Sequence, residues 1–339
     1  MRMGNISNID GGMSAQWHEN QIRLQHKMTG RMRELGMTPV IQGFAGFVPD
    51  AVAEHYPDRP YTRTSWHGLG ATYLSPVDSL FGVIGTSFVK EWEKEFGKCD
   101  YYLMDSFNEM KLPFAPIGDP SRYADLKKYS ECIYESLADA NPDAVWVMQG
   151  WMFGRNRDIW EPRSVEALLS GAPKGKLAVV DLAVDYNHFE WRNGTSWDVF
   201  SGFFGTPWIW STTPNFGGRS TFKGVLDFYL NEHITALNSP SKGNLFGHGS
   251  SPEGLENNEI IYELISSAGW SSEPKDLDTF LKNYSRARYG CDIEGVEEYW
   301  NGMKGSVYGE FASNDVLSLQ RPPVVHYQST MNRNWFRII

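Results

Sequence analysis

Six short apolar runs alternate along this chain with stretches of helical periodicity. Strands are expected at Met37-Thr-Pro-Val-Ile-Gln-Gly-Phe-Ala45, at Tyr101-Tyr-Leu-Met104, at Ala144-Val-Trp-Val-Met-Gln149, at Leu177-Ala-Val-Val-Asp-Leu182, at Pro207-Trp-Ile-Trp-Ser-Thr212 and near Asn244-Leu-Phe-Gly-His248. Several of these lack polar alternation, the mark of a parallel strand covered on both faces. Between them lie predicted helices. Residues 14–35 open at Ser14 and close at Gly36, with Ile22, Met28 and Met32 among the apolar positions. Residues 121–140 carry Leu126, Tyr129, Ile133 and Leu137 at spacings of three and four. Further helices are expected at 86–96, 163–170, 220–237 and 254–268. Residues 46–79, which include Arg63-Thr-Ser-Trp-His67, read as a long Gly- and Pro-punctuated connection, and a loop of that length is expected to serve function.

Alternating strands and helices imply a mainly parallel sheet. A complete (β/α)8 barrel needs eight strands in roughly 250 residues. Six candidates fall between residues 37 and 248, which leaves either an open doubly wound sheet or a barrel lacking its first quarter. After residue 270 the pattern is helical only, in 275–288 and 292–305, and from Gln320 onward no pattern is assigned.

Composition narrows the partners. Of 339 residues, 41% are hydrophobic and 21% charged, enough apolar mass for a sizeable core. The net charge of -10 argues against nucleic acid, whose phosphates require a basic face. Cys99, Cys132 and Cys291 form no disulfide framework or zinc spacing. No apolar stretch reaches the length of a membrane span, and the first residues lack the apolar run of a signal peptide, so the compartment is left unassigned. Asn5, Asn193 and Asn283 lie in glycosylation triplets, weak evidence on their own.

The chemistry-bearing residues gather after the strands. Asp105-Ser-Phe-Asn108-Glu109 follows one, Gln149-Gly-Trp151 the next, then Asp181 with Asp185, Asn215-Phe-Gly-Gly218, and Ser250-Ser-Pro-Glu253-Gly254. In α/β folds that end of the strands hosts chemistry. Two carboxyl groups with amides and indoles suit sugar chemistry: one carboxylic acid protonates the leaving oxygen and a second attacks or activates water. Structural readings compete. Asp105 and Glu109 are also suited to capping a loop or pairing with a surface Arg. Ser250-x-x-Glu253 also matches a helix capping box, a role open to Glu256 and Glu259 as well. The eight histidines show no metal-ligand spacing, so His18, His67 and His248 read as solvent-facing or hydrogen-bonding groups, and no metal or cofactor is implied.

Taken together, several segments resemble glycoside hydrolase family 89, the alpha-N-acetylglucosaminidases. They are Arg2-Met-Gly-Asn5, Gly36-Met-Thr-Pro-Val40, Phe44-Ala-Gly-Phe-Val-Pro49, Asp105-Ser-Phe-Asn-Glu-Met110, Gln149-Gly-Trp-Met-Phe153, Pro207-Trp-Ile-Trp210, Asn215-Phe-Gly-Gly218, Pro252-Glu-Gly254, Asn258-Glu259, Gly269-Trp270 and Arg286-Ala-Arg-Tyr-Gly290. The resemblance implies a (β/α)8-type barrel, here an incomplete one of about six strands over residues 1–270, followed by the start of an all-helical domain over 271–339. It implies an exo-acting, retaining hydrolase of terminal alpha-linked N-acetylglucosamine, on a glycan or glycosaminoglycan. Glu109 would be the acid/base, its pKa raised by burial and by the charge of Glu253, which would be the nucleophile. Asn108, Trp66, Trp151 and Asn215 would line the sugar pocket. Family members are secreted, periplasmic or lysosomal. The chain departs from them in lacking an N-terminal domain, two barrel strands and most of the helical domain. A fragment, a split polypeptide completed by a missing segment, or a homo-oligomer is expected on that ground. A non-catalytic sugar-binding or structural remnant is the second reading. A third, an unrelated barrel hydrolase, finds no Ser/His/Asp elbow to support it.

Overall fold

The computed structural model describes residues 14–66, 69–105, 107, 110, 113–216, 224–253, 258–309 and 311, with the backbone alone for Trp66 and Leu69. Six strands form the main sheet: β1 (Val40–Gln42), β5 (Tyr101–Leu103), β6 (Val145–Gln149), β7 (Leu177–Asp181), β8 (Trp208–Thr212) and β9 (Leu245–Ser250). They neighbour one another in chain order, and pairing is parallel between β1 and β5, β5 and β6, and β8 and β9. A doubly wound sheet reverses its strand order at a switch point, whereas barrel-type winding advances in one direction. This order never reverses, which decides between the two expected architectures in favour of barrel-type winding.

The stretch expected to be a long loop is largely ordered instead. A second, antiparallel sheet joins β2 (Phe47–Val48), β3 (Tyr61–Trp66) and β4 (Leu69–Leu74) in the order β2-β4-β3, with α2 (Asp50–His55) between the first two. Tyr61, Arg63 and Ser65 face Leu74, Thr72 and Gly70 across the β3/β4 ladder. The sequence pattern is hard to see because one strand is mostly polar and the other is interrupted by Gly70.

The chain falls into two compact units, Met1–Val179 and Val180–Ile339, described in turn. In the first, α1 (Ala15–Glu34) starts where Ser14 accepts the Trp17 N–H. Its expected apolar face is uncovered: Ile22 and Met28 are exposed and only Thr29 is buried. Polar contacts attach it to α3 (Ser79–Phe96), with His26 against Glu95 at 2.9 Å and Arg33 donating to the Phe96 carbonyl at 3.2 Å. Helix α3 begins seven residues before the expected start, because Asp78 caps it by accepting the Leu80 N–H. Asp119 and Pro120 open α4 (Pro120–Ala138), and Glu161 and Pro162 open α6 (Pro162–Leu169), after the short α5 (Trp151–Arg155). Buried Arg122 ties α4 to its neighbours, donating to Ser164 Oγ and to the Ala115 and Ile159 carbonyls at 2.8–2.9 Å.

In the second unit, α7 (Ser196–Val199) and α8 (Leu226–Asn238) precede β9, and α9 (Glu259–Ala268) follows it. The helical pattern after residue 270 resolves into α10 (Leu277–Tyr289) and α11 (Val296–Lys304), joined by buried Trp300, which donates to Ser285 Oγ at 2.8 Å. Among the described residues no helix is long and apolar enough to cross a membrane.

Gly171, two residues past the end of α6, packs tightly against α4. A Cβ there would lie 2.4 Å from Ser130 Cβ and 2.6 Å from the Lys127 carbonyl oxygen, a main-chain atom that cannot swing aside. Gly171→Ala is expected to destabilise the chain by about 1–3 kcal/mol, the usual range for overpacking, as measured by urea denaturation. An unchanged midpoint would show that the two helices have slack.

Candidate active site

In the first unit the ends of β5 and β6 are clamped. Beyond β5, Met104 keeps the ladder through its N–H to the Val147 carbonyl at 3.0 Å, and Trp146 Nε1 donates to the Met104 carbonyl at 2.8 Å. Asp105 then turns its carboxylate to the last residue of β6, accepting the Gln149 N–H at 3.0 Å and Gln149 Nε2 at 2.6 Å. Burial pushes the Asp105 carboxyl up to about 6, against the lowering effect of the two Gln149 bonds.

Phe107 follows, with φ of 63°. A left-handed backbone at a bulky residue costs about 1–2 kcal/mol, and such strain collects at functional sites. Packing holds it there: the buried ring stacks on Tyr129 at 4.3 Å and meets Phe114 edge-on at 5.4 Å. The next two residues, Asn108 and Glu109, lie outside the described set. Trp151 is the first residue of α5, directly after Gly150 at the end of β6, and is 7% exposed. Trp66 ends β3, and its side chain is outside the described set.

In the second unit the two aspartates expected on the rim are fully buried anchors. Asp181, at the end of β7, accepts the Trp197 N–H at 3.2 Å. Asp185 sits one residue before a π turn, Tyr186–Glu190, and accepts the Tyr186 N–H at 3.1 Å, the Thr213 N–H at 3.2 Å and the Tyr229 phenol at 3.1 Å. Burial and the neighbouring Asp185 charge raise the Tyr229 pKa well above its ordinary value, so the phenol keeps the proton it donates. Thr213 in turn donates its hydroxyl to the Leu182 carbonyl at 2.6 Å, which ties the β7 and β8 exits together.

The exits of β8 and β9 converge on the second expected carboxylate. Ser251 extends the ladder with its N–H to the Thr212 carbonyl at 2.8 Å, and its hydroxyl lies 3.2 Å from that of Ser211. Two residues on, the Glu253 N–H donates to Asn215 Oδ1 at 2.8 Å. Asn215 is 2% exposed, while Glu253 is exposed. The structure thus brings together two of the residues singled out in the sequence, 38 positions apart. It also removes the capping reading for Ser250 and Glu253: Ser250 ends β9, and α9 starts only at Glu259 with Asn258 as its cap residue. His248, expected as a solvent-facing or hydrogen-bonding group, stacks on Trp210 at 4.9 Å with the planes 13° apart, and burial followed by the nearby His233 lowers its pKa to about 4.

A family model described as the alpha-N-acetylglucosaminidase (NAGLU) tim-barrel domain matches residues 1–272. The chain belongs to the alpha-N-acetylglucosaminidase family. Human (Homo sapiens) alpha-N-acetylglucosaminidase is 34% identical over 314 residues, which cover 91% of this chain and 40% of the human protein. A family 89 glycoside hydrolase from Clostridium perfringens, solved with 2-acetamido-1,2-dideoxynojirmycin, matches with a TM-score of 0.74 at 26% identity, over 91% of this chain and 33% of that one. The same organism's enzyme, in a form with two Glu→Gln substitutions and in complex with its substrate GlcNAc-alpha-1,4-galactose, matches with a TM-score of 0.71 at 26% identity, over 90% of this chain and 32% of that one. The barrel class expected from the sequence is that of the matched domain. The chain spans 40% of the length of the human relative and about a third of the clostridial chain.

The raised pKa of Asp105 has a stability consequence. A carboxyl that binds its proton more tightly when folded contributes stability that is fully present below the ordinary value of 3.8 and is lost as pH rises to about 6. The stability of the unsubstituted chain relative to Asp105→Asn is therefore expected to fall between pH 4 and 6, by at most about 3 kcal/mol at 1.36 kcal/mol per pKa unit, and to level off above. Denaturation midpoints across that range measure it, and a stability relative to Asp105→Asn that rises with pH would contradict it.

Proposed function

We propose that this chain carries the catalytic barrel, residues 1–270, of an exo-acting retaining glycoside hydrolase that removes terminal alpha-linked N-acetylglucosamine, with residues 271–339 beginning a helical domain. Glu253 attacks the anomeric carbon while Glu109 gives its proton to the departing glycosidic oxygen. In the second half-reaction Glu109 takes a proton from water, the water oxygen attacks the anomeric carbon, and the Glu253 ester bond breaks. Two displacements restore the starting configuration. Asn108, Trp66 and Trp151 contact the sugar, the amide through hydroxyls and the indoles through the C–H face.

The observation that carries the reading is the hold on Glu253: an exposed carboxylate residue whose own N–H is fixed by a buried amide, on a strand exit with no helix-capping duty. Family membership supports it. So does the clostridial relative studied with its substrate in a form bearing two Glu→Gln changes, since that substitution keeps the shape of a carboxyl group and removes its acid and nucleophilic chemistry. The natural substrate is proposed to be a glycan or glycosaminoglycan ending in alpha-linked N-acetylglucosamine.

Release of nitrophenol from a nitrophenyl alpha-N-acetylglucosaminide tests this directly. Glu253→Ala should abolish turnover, and Glu109→Gln should lower it by about 10²–10⁴-fold, the usual span for a lost general acid/base. The first sugar product seen by NMR should be the alpha anomer. Undiminished turnover in either variant would remove that residue from its role, and a beta product would replace retention by inversion.

A further inference from the structure

Asn215 is expected from the sequence among the substrate-binding residues, but its surroundings give it another task. Its side chain is 2% exposed, and Oδ1 accepts the main-chain N–H of Glu253 at 2.8 Å. The segment that carries Asn215 is itself anchored, because Thr213 donates its N–H to buried Asp185 at 3.2 Å and its hydroxyl to the Leu182 carbonyl at 2.6 Å. Asp185 is held in turn by the Tyr229 phenol at 3.1 Å. On the other side, the Ser251 N–H reaches the Thr212 carbonyl at 2.8 Å. The main chain leading to Glu253 is therefore secured at Ser251 by the sheet and at Glu253 itself by the Asn215 amide.

We infer that Asn215 is a positioning residue: it sets the Glu253 carboxylate in line with the anomeric carbon by holding the Glu253 main chain, rather than by contacting sugar hydroxyls. This rests on the reading of Glu253 as the nucleophile. A near-isosteric Asn215→Leu change removes the acceptor and leaves the Glu253 N–H without this bond. Asn215→Asp keeps an acceptor in the same place.

Kinetics on the nitrophenyl alpha-N-acetylglucosaminide, together with inhibition by N-acetylglucosamine, separate positioning from contact. Asn215→Leu is expected to lower kcat by about 100-fold, the scale of a roughly 1 Å misplacement, with KM and the inhibition constant unchanged. Asn215→Asp should recover most of that loss. The decisive arm uses Glu253→Ala with azide as the external nucleophile: there Asn215→Leu should have no further effect, since the side chain it places is gone. Weaker substrate and N-acetylglucosamine binding with kcat retained would overturn the inference, as would an equal loss in the azide-driven reaction. Should Asn215→Leu not fold, Asn215→Gln, which moves the acceptor by one methylene, carries the same expectation, and full activity in it would overturn the inference. No turnover in the unsubstituted chain, or undiminished turnover in Glu253→Ala, would instead overturn the proposed function and this inference with it; the outcomes for the Asn215 variants bear on the inference alone.

Discussion

At the last residue of a strand and in the segments between strands, main-chain N–H groups lack regular ladder partners, and in this chain side-chain oxygens accept several of them. Asp105 takes the Gln149 N–H, Asp181 that of Trp197, Asp185 those of Tyr186 and Thr213, and Asn215 that of Glu253. A buried donor left without an acceptor costs about 1–3 kcal/mol, so each of these bonds decides which loop conformation survives. The exits are thereby set before any ligand arrives. Preorganisation of that kind is what a catalytic rim requires.

Rigidity of this sort has a cost, and the structure shows where it falls. Burial pushes the half-buried Asp105 carboxyl up to about 6, despite two bonds that favour the ionised form. Phe107 adopts a left-handed backbone beside it. The Phe107 backbone is offset by packing: its ring lies among Tyr129, Phe114, Tyr73 and Trp160, a set of aromatic contacts that an alternative backbone would have to break. Asp185, which is fully buried, accepts from two main-chain donors and a phenol.

The main sheet was legible because its strands read as short apolar runs, most fully at the largely buried β6, β7 and β8: all six expected strands are present, and Trp146, Trp208 and Trp210 are buried within them. The β2-β4-β3 sheet was not, because Tyr61-Thr-Arg-Thr-Ser-Trp66 carries too many polar residues to look like a strand, and Gly and Pro around it suggest loop. Helix starts moved where a cap was misjudged, at Asp78 for α3 and at Asn258 for α9. At the site, residue identities were readable but relations were not. Nothing in the spacing of Asn215 and Glu253 announces a bond between them, and the positive φ of Phe107 has no signature in a residue type that ordinarily avoids it. The buried roles of Asp181 and Asp185 were equally hidden, since a carboxylate after a strand looks the same whether it faces a ligand or a main-chain N–H.

The acidic residues of these strand exits are held in two different ways. Asp105 and Asp185 accept hydrogen bonds on the carboxylate itself, from Gln149 Nε2 and the Tyr229 phenol. The bond from Glu253 to Asn215 is made by the main chain and draws on neither carboxylate oxygen. It fixes the main chain from which the side chain departs, and it places the polar anchor in the buried residue and the acid in the exposed one. Strand exits can use this division generally: buried amides and carboxylates fix the backbone, so a neighbouring side chain starts from a set position.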